Sequence, residues 1–434
     1  MRKFNFWVMR AFLGPLILFL SGDLQAQEVS PFLGTKTPYH PQQRQYTPPP
    51  AGFKPMFVNY VGRHGARFMT KAGTEERVLQ ALRPAESHSL TPLGLQIKRI
   101  VERLSDIEKG NYELISLLGK EEQAAIGERT WNGYRDAFRG RGLDVVTTYK
   151  VRTQQSAEAF LKGFAKYNGK KRVTMRPDSV DTVLRFYDLS AAYQRYKKSA
   201  AVKMPVDTLE RDGRNREVAA NICSKIFTPA FSSVKLDSVA FAGDLYDLYC
   251  LQFSLLREIG KNEYAKSSVE FGSVFGKKDL EWLDFVSGAQ DFLEKGPAAD
   301  ALGIQVKIAV PLLADFLGTM QAAIDQKGNV DAVLRFTHAE AISPFASLLG
   351  IPEASVPAAG IYQYRKHWLA GGVIPLSANI QWVLYSDGKE YLVKALLNEK
   401  EVSLPLATTR YPYYRWQDVR DHYRELIQRL EAEK

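Results

Sequence analysis

The sequence predicts an α/β protein: a three-layer α/β/α domain with a mostly parallel central sheet, plus an inserted, mostly helical domain. Three observations lead there. At 434 residues the chain exceeds the size at which a single core keeps growing. Three apolar runs each pass into polar residues and then into a helical pattern, as parallel strands joined by crossovers do. Between about 165 and 300 that texture gives way to long helical periodicities with few strand-like runs.

Residues 1–26 stand apart. Arg2, Lys3 and Arg10 make a basic start, Ala11 to Leu20 an apolar run, and Leu24-Gln25-Ala26 a cleavage pattern. Together they predict a signal peptide and an exported protein. The apolar run is short for a membrane span, so no stable membrane insertion is expected after cleavage; an uncleaved anchor is the alternative. Residues 27–54 are polar and proline-rich, with Pro48-Pro49-Pro50, and predict an extended lead-in. The α/β domain is then expected over 55–164 and 301–434, with the helical insertion at 165–300 capping its cleft.

The first strand is Met56 to Val61, running into Gly62-Arg63-His64-Gly65. Leu90 to Leu104 has helical spacing, with Thr91 as N-cap and Pro92 after it. A second strand, Val145 to Val151, ends at Arg152-Thr153, and a helix follows from Ser156 to Phe164. A third, Val330 to Thr337, ends at His338-Ala339-Glu340, and a helix runs to Leu349, closed by Gly350. Helices are expected at Leu245 to Ile259 and Leu280 to Leu293, strands at Ile380 to Tyr385 and Tyr391 to Leu397, and a helical tail from Trp416. Ligands of open α/β sheets sit outside the carboxyl ends of the strands. His64, Arg152 and His338 therefore converge although they lie far apart in the chain.

The chain carries 58 Lys and Arg against 48 Asp and Glu, a net +10. That excess suits a small polyanion, while no Lys/Arg run is dense enough for nucleic acid. Cys223 and Cys250 are the only cysteines, too few for a disulfide framework. With no N-x-S/T sequon, they favour a bacterial periplasm. Six histidines and two cysteines, none at ligand spacing, show no zinc or di-metal site, and no cofactor is expected.

Arg63-His64-Gly65-Ala66-Arg67 sets two guanidiniums around one imidazole. Phosphoryl transfer is helped by positioning and charge stabilisation, and guanidinium forks suit phosphoryl oxygens. Gly65 would allow a tight turn and close approach of the backbone to an anion. As a bare pattern the cluster could equally be a solvated loop. In His338-Ala339-Glu340 a carboxylic acid at a helix start could protonate a leaving alkoxide. Cationic neighbours would favour its ionised form, and a bound phosphate dianion would oppose them.

Arg63-His64-Gly65-Ala66-Arg67, with Thr70 beyond it, resembles the active-site signature of the histidine acid phosphatases. His338-Ala339-Glu340 resembles the acid motif of one branch, the multiple inositol-polyphosphate phosphatases or phytases. Leu90-Thr91-Pro92-Leu93-Gly94, Arg152-Thr153 before Ser156 and Phe160, Arg185-Phe186-Tyr187-Asp188, Ser343-Pro344-Phe345 and Leu396-Leu397-Asn398-Glu399 extend the match. The resemblance implies a phosphohistidine on His64, phosphate contacts from Arg63, Arg67, Arg152 and His338, and Glu340 as proton donor. It departs at Phe68, where many relatives carry Tyr or His before Pro. Among the bases of the insertion, Arg195, Lys197, Lys198, Arg211 and Arg214 included, Arg185 is the first choice for a second substrate phosphate. Thr70 is a further substrate contact. The expected partner is a polyphosphate such as phytate. A broad acid phosphatase and a non-catalytic polyphosphate-binding protein are the alternatives.

Overall fold

The three apolar runs lie side by side at the centre of one sheet. The computed structural model describes residues 32–83, 88–231, 236–327 and 329–432, so the leader pattern at 1–26 lies outside the described residues. Among the described residues eight strands pair: β1 (Lys54–Arg63), β2 (Leu143–Thr147), β3 (Lys171–Met175), β4 (Ala332–Thr337), β5 (Asn379–Ser386), β6 (Tyr391–Leu397), β7 (Lys400–Glu401) and β8 (Tyr413–Arg415). Their order is β3-β2-β4-β1-β5-β6-β7, with β8 also on β6. The strands β3, β2, β4 and β1 run parallel, and β5 turns antiparallel against β1. All six residues of β4 are buried, which is why it reads as a continuous apolar run and not as an alternation.

Helices cover both faces. On one, Val58, Tyr60, Val145, Leu334 and Phe336 share a core with Ile126 and Phe160 of the helices Leu117–Gly133 and Val151–Lys162. On the other, Phe316 stacks edge-on with Phe345 and Trp382, and Trp382 meets Tyr423. Trp382 stands on β5, and the other three rings come from the helices Val310–Ile324, Ala339–Leu348 and Trp416–Ala432. From Phe186 to Lys295 the described elements are all helical. Cys223 and Cys250 are free thiols.

Two local expectations need correcting. The second strand stops at Thr147, and Val151 and Arg152 already belong to the helix Val151–Lys162. Hydroxyls make the turn: Thr153 Oγ1 donates to Lys150 O at 2.7 Å, and Thr148 Oγ1 accepts from Lys150 N. Such local bonds compete with the strand ladder that Val145 to Val151 would otherwise extend. The other correction is β3, which lies within the segment expected to be helical. It is an edge strand, largely exposed and paired only with β2, so neither face demands the apolar pattern that marks a strand in sequence.

Capping at Thr91 is as expected, its hydroxyl accepting from Gly94 N at 3.0 Å ahead of Pro92. Gly350 ends the helix Ala339–Leu348 with φ +69°, a left-handed conformation that favours glycine.

Candidate active site

The carboxyl ends of β2, β4 and β1 are adjacent, and each delivers its polar turn to the same edge of the sheet. β1 ends in Arg63 and His64, β4 in His338, and the turn after β2 leads into Arg152. The structure thus brings together His64, His338 and the three arginines: the His64 and His338 rings lie edge to face, 5.5 Å between centroids. The helices Val151–Lys162 and Ala339–Leu348 both begin here, turning the positive ends of their dipoles to this edge.

Backbone bonds hold the His64 loop: His64 N donates to Thr337 O at 3.0 Å and Ser377 N to His64 O at 3.1 Å. Glu122, buried beneath it, accepts from Ala66 N at 3.0 Å, Tyr39 N at 2.8 Å and Ser377 Oγ at 2.7 Å. Gly65 N donates to Ser156 Oγ at 3.0 Å, and Ser156 Oγ donates to Arg152 O, tying the loop to the helix that bears Arg152. Gly65 serves packing here. A Cβ on it would meet Gly119 O at 2.6 Å, and one on Gly119 would meet Ala66 O at 2.1 Å. The missing side chain thus makes room for the helix Leu117–Gly133, a role the sequence pattern does not show.

His64 Nδ1 lies 3.0 Å from Gly65 O. A carbonyl oxygen only accepts, so Nδ1 carries the proton and Nε2 keeps a free lone pair. Burial first, then Arg63, Arg67, His338 and Arg152, hold the His64 pKa well below the usual imidazole value. Both effects favour the neutral ring. His338 is lowered in the same way by burial and Arg152, and its Nε2 contacts Thr148 Oγ1 at 3.2 Å.

The arginines are buried or nearly so but not used up. Arg63 Nη1 donates to Thr35 O and Ile374 O, each at 2.7 Å, and Arg67 Nη1 to Phe68 O at 2.6 Å. Arg152 reaches Glu113 at 3.4 Å. The Nε atoms of Arg63, Arg67 and Arg152 are all buried without a partner. Charged donors are rarely left so in an interior, and all three guanidiniums lie close enough to His64 to act on its charge. Burial, Arg152 and Arg63 lower the Arg67 pKa to about 10, a mark of like charges crowded together.

Glu340 stands in the first turn of the helix Ala339–Leu348, 3.4 Å from Lys295 Nζ. Burial works against its charge, but Lys295, His338, its own backbone N–H and Arg63 outweigh it and hold the pKa well below the carboxylate range. Lys295 was missed in sequence, being one base among many on a long helix. Glu122 and Glu113 were missed too, and only their positions distinguish them.

Thr70 is exposed and lines a cavity of about 310 Å³ beside Arg63 and Arg67, into which Lys36, Lys71 and Arg77 also face. Lys36 pairs there with Asp247 and Arg77 with Asp244. Arg185 does not offer the free fork expected of it. It is 8% exposed, Nε and Nη2 donate to Asp188 and Nη1 to Asp178, and its guanidinium lies 4.4 Å over the Tyr149 ring. Its neighbours in the insertion are engaged as well: Arg214 pairs with Asp212 and stacks 3.6 Å over Trp282, and Lys197 lies over Tyr193. Among the described residues no group of three or more His, Cys, Asp or Glu is placed to hold a metal ion.

A neutral imidazole ringed by partly unpartnered guanidiniums at the carboxyl edge of a parallel sheet defines a histidine phosphatase. The chain belongs to the histidine phosphatase superfamily, branch 2, whose family profile matches residues 56–398. It is 22% identical over 311 residues to human multiple inositol polyphosphate phosphatase 1, covering 66% of this chain and 60% of that protein. The chain therefore spans less than two thirds of that relative's length. Its fold is similar to that of the multiple inositol polyphosphate phosphatase of Bifidobacterium longum in complex with inositol hexasulfate. There the TM-score is 0.76, the identity 22%, and the coverage 90% of this chain and 97% of that one. It is also similar to a phytase from D. castellii, with TM-score 0.72, 16% identity, and coverage of 91% and 84%.

Proposed function

We propose that this protein hydrolyses phosphate monoesters of inositol polyphosphates such as phytate, through a phosphohistidine on His64, with Glu340 as proton donor. The observation that carries the reading is the neutral His64 with Nε2 free, set among three buried guanidinium Nε atoms that have no protein partner. The phosphoryl oxygens would take up those donors, with His338 and the two helix starts adding more. His64 Nε2 then forms a bond to phosphorus as the ester P–O bond breaks. The electron pair stays on the departing oxygen, which receives the Glu340 proton. In the second step water attacks the phosphohistidine and gives its proton to the Glu340 carboxylate, freeing His64 and phosphate. For the donor role Glu340 must be protonated in the complex although the empty site favours its ionised form. The added negative charge of the phosphoryl group works in that direction.

The substrate class is supported by what the relatives above act on, and by the cavity beside Arg63 and Arg67, where Lys71 faces in with Lys36 and Arg77, the latter two paired with Asp247 and Asp244. The test is rapid acid-free denaturing quench of enzyme with radiolabelled phytate, followed by isolation of labelled peptide. Label on the peptide containing His64, absent in His64→Ala that retains its circular dichroism, is the expected result. Full turnover by His64→Ala would refute the mechanism. Turnover of an aryl phosphate but not of phytate would refute the substrate class. This reading also has the enzyme exported, supported by the leader pattern at 1–26; a mature N-terminus other than one near Gln27 would argue against it.

A further inference from the structure

A proton donor that rests against an ammonium group is at odds with its task. Glu340 Oε1 is 3.4 Å from Lys295 Nζ, and the Lys295 side chain is only 16% exposed. The same ammonium lies 2.6 Å from Asp291 Oδ1, one turn earlier on the helix Lys277–Lys295. One cation is thus shared by two carboxylates, one of which carries the chemistry and one of which does not. The other groups facing Glu340 are Arg63 from β1, Arg67 from the loop, His338 before it, and the Tyr187 and Tyr193 phenols from the helices above. Of the cations, Arg63 and Arg67 have unpartnered donors for a phosphoryl group, so their charge is met by substrate. Lys295 is the one that pairs directly with Glu340.

We infer that Lys295 is a positioning residue that holds Glu340 ionised in the empty site and releases it when a phosphoryl group enters, Asp291 retaining the ammonium. The inference rests on Glu340 being the proton donor. Physically, the incoming anion and the Lys295–Asp291 contact together withdraw the reason for Glu340 to stay charged. Proton uptake by Glu340 is then coupled to binding, and the empty enzyme holds no acid ready to be spent on water. Burial disfavours both charges, and the ammonium persists because Glu340 and Asp291 outweigh it.

Lys295→Met tests this through pH profiles. The basic limb of kcat/KM reports the free enzyme and that of kcat the complex. An opposite charge this close lowers a carboxyl pKa by about one to three units. The kcat/KM limb of Lys295→Met on phytate should therefore move upward by about one pH unit or more, while the kcat limb moves much less. Lys295→Arg, which keeps the charge, should restore the wild-type limb. An unmoved limb, equal movement in both profiles, or a rise in KM alone would overturn the inference, the last because it makes Lys295 an ordinary phosphate contact. A second measurement needs no folded Lys295 variant. Sulfate, a dianion that does not titrate in this range, should cause wild-type enzyme to take up a proton on binding, read with a pH indicator, and Glu340→Gln should lose that uptake. Sulfate binding without uptake would overturn the inference. Should Glu340→Gln slow alkoxide and aryl esters alike, the donor assignment itself has failed, whatever Lys295 does.

Discussion

Gly119→Ala places one methyl group at the closest approach between the helix Leu117–Gly133 and the loop that carries His64. The new Cβ would lie 2.1 Å from Ala66 O and 2.7 Å from Ala66 N, where ordinary contact begins near 3.4 Å. Both neighbours are backbone, so no flexible side-chain end can swing away, and loop and helix must part by about 1 Å. Alanine gains up to about 1 kcal/mol over glycine in helix propensity, whereas overpacking of this kind costs about 1–3 kcal/mol. The net effect on stability is a loss of up to about 3 kcal/mol, a fall in Tm of a few degrees. Activity should suffer more, because a misplacement of about 1 Å in a reacting group costs on the order of 10²-fold. Initial rates on phytate and on nitrophenyl phosphate should fall together, since the proposed attack by His64 on phosphorus is common to both. Thermal melts followed by circular dichroism supply the stability arm. Wild-type kcat/KM with an unchanged Tm would refute the claim that this contact sets the nucleophile.

Glu340→Gln should slow phytate hydrolysis by on the order of 10²- to 10⁴-fold, the contribution of a positioned acid, and nitrophenyl phosphate far less; equal losses in steady-state rates would give Glu340 another role. Arg185→Ala should leave the ratio of phytate to nitrophenyl phosphate kcat/KM unchanged, because its fork already serves Asp178 and Asp188. A selective rise in KM for phytate would show that the substrate takes it from those partners. Glu108 gives a pH test. Wholly buried and bonded to Met69 N, its carboxyl is pushed up to about 7 by burial, with Glu75 adding to the rise. A carboxyl raised above its unfolded value of about 4.3 favours folding while protonated, so its stabilisation is complete below that value and lost as pH rises through about 7. Between pH 4 and 8 the Tm of wild type should accordingly fall relative to that of Glu108→Gln, and parallel Tm curves would refute the assignment.

Much of the fold and of the chemical centre was legible in the chain. The apolar runs before His64 and His338 are strands buried on both faces, and burial on both faces leaves an unbroken apolar signature. Thr91-Pro92 and Gly350 mark helix ends by local backbone chemistry, which needs no tertiary partner. The convergence of His64, Arg152 and His338 follows from parallel strands ending at one edge, so topology alone sufficed to foresee it. Edge strand β3 was not legible, because an edge exposed to water imposes no pattern. Nor was the early start of the helix at Val151, which hydroxyl bonds of Thr148 and Thr153 decide against β-branched propensity.

The support of the site belongs to the tertiary structure. Glu122 reads in sequence as one acid on a solvated helix, yet it accepts three hydrogen bonds beneath the His64 loop, from Tyr39, Ala66 and Ser377. Lys295 and Glu340 are brought together from two helices far apart in the chain. Arg185 shows the converse: the motif around it was visible, but whether its fork faced substrate or Asp178 and Asp188 was not. A strand or a helix cap is encoded within a few consecutive residues. The partner of a charge is set by whichever distant side chains the packed core brings within about 4 Å, and Coulomb interaction in a buried site is strong enough that those partners, more than the residue type, decide what the charge can do.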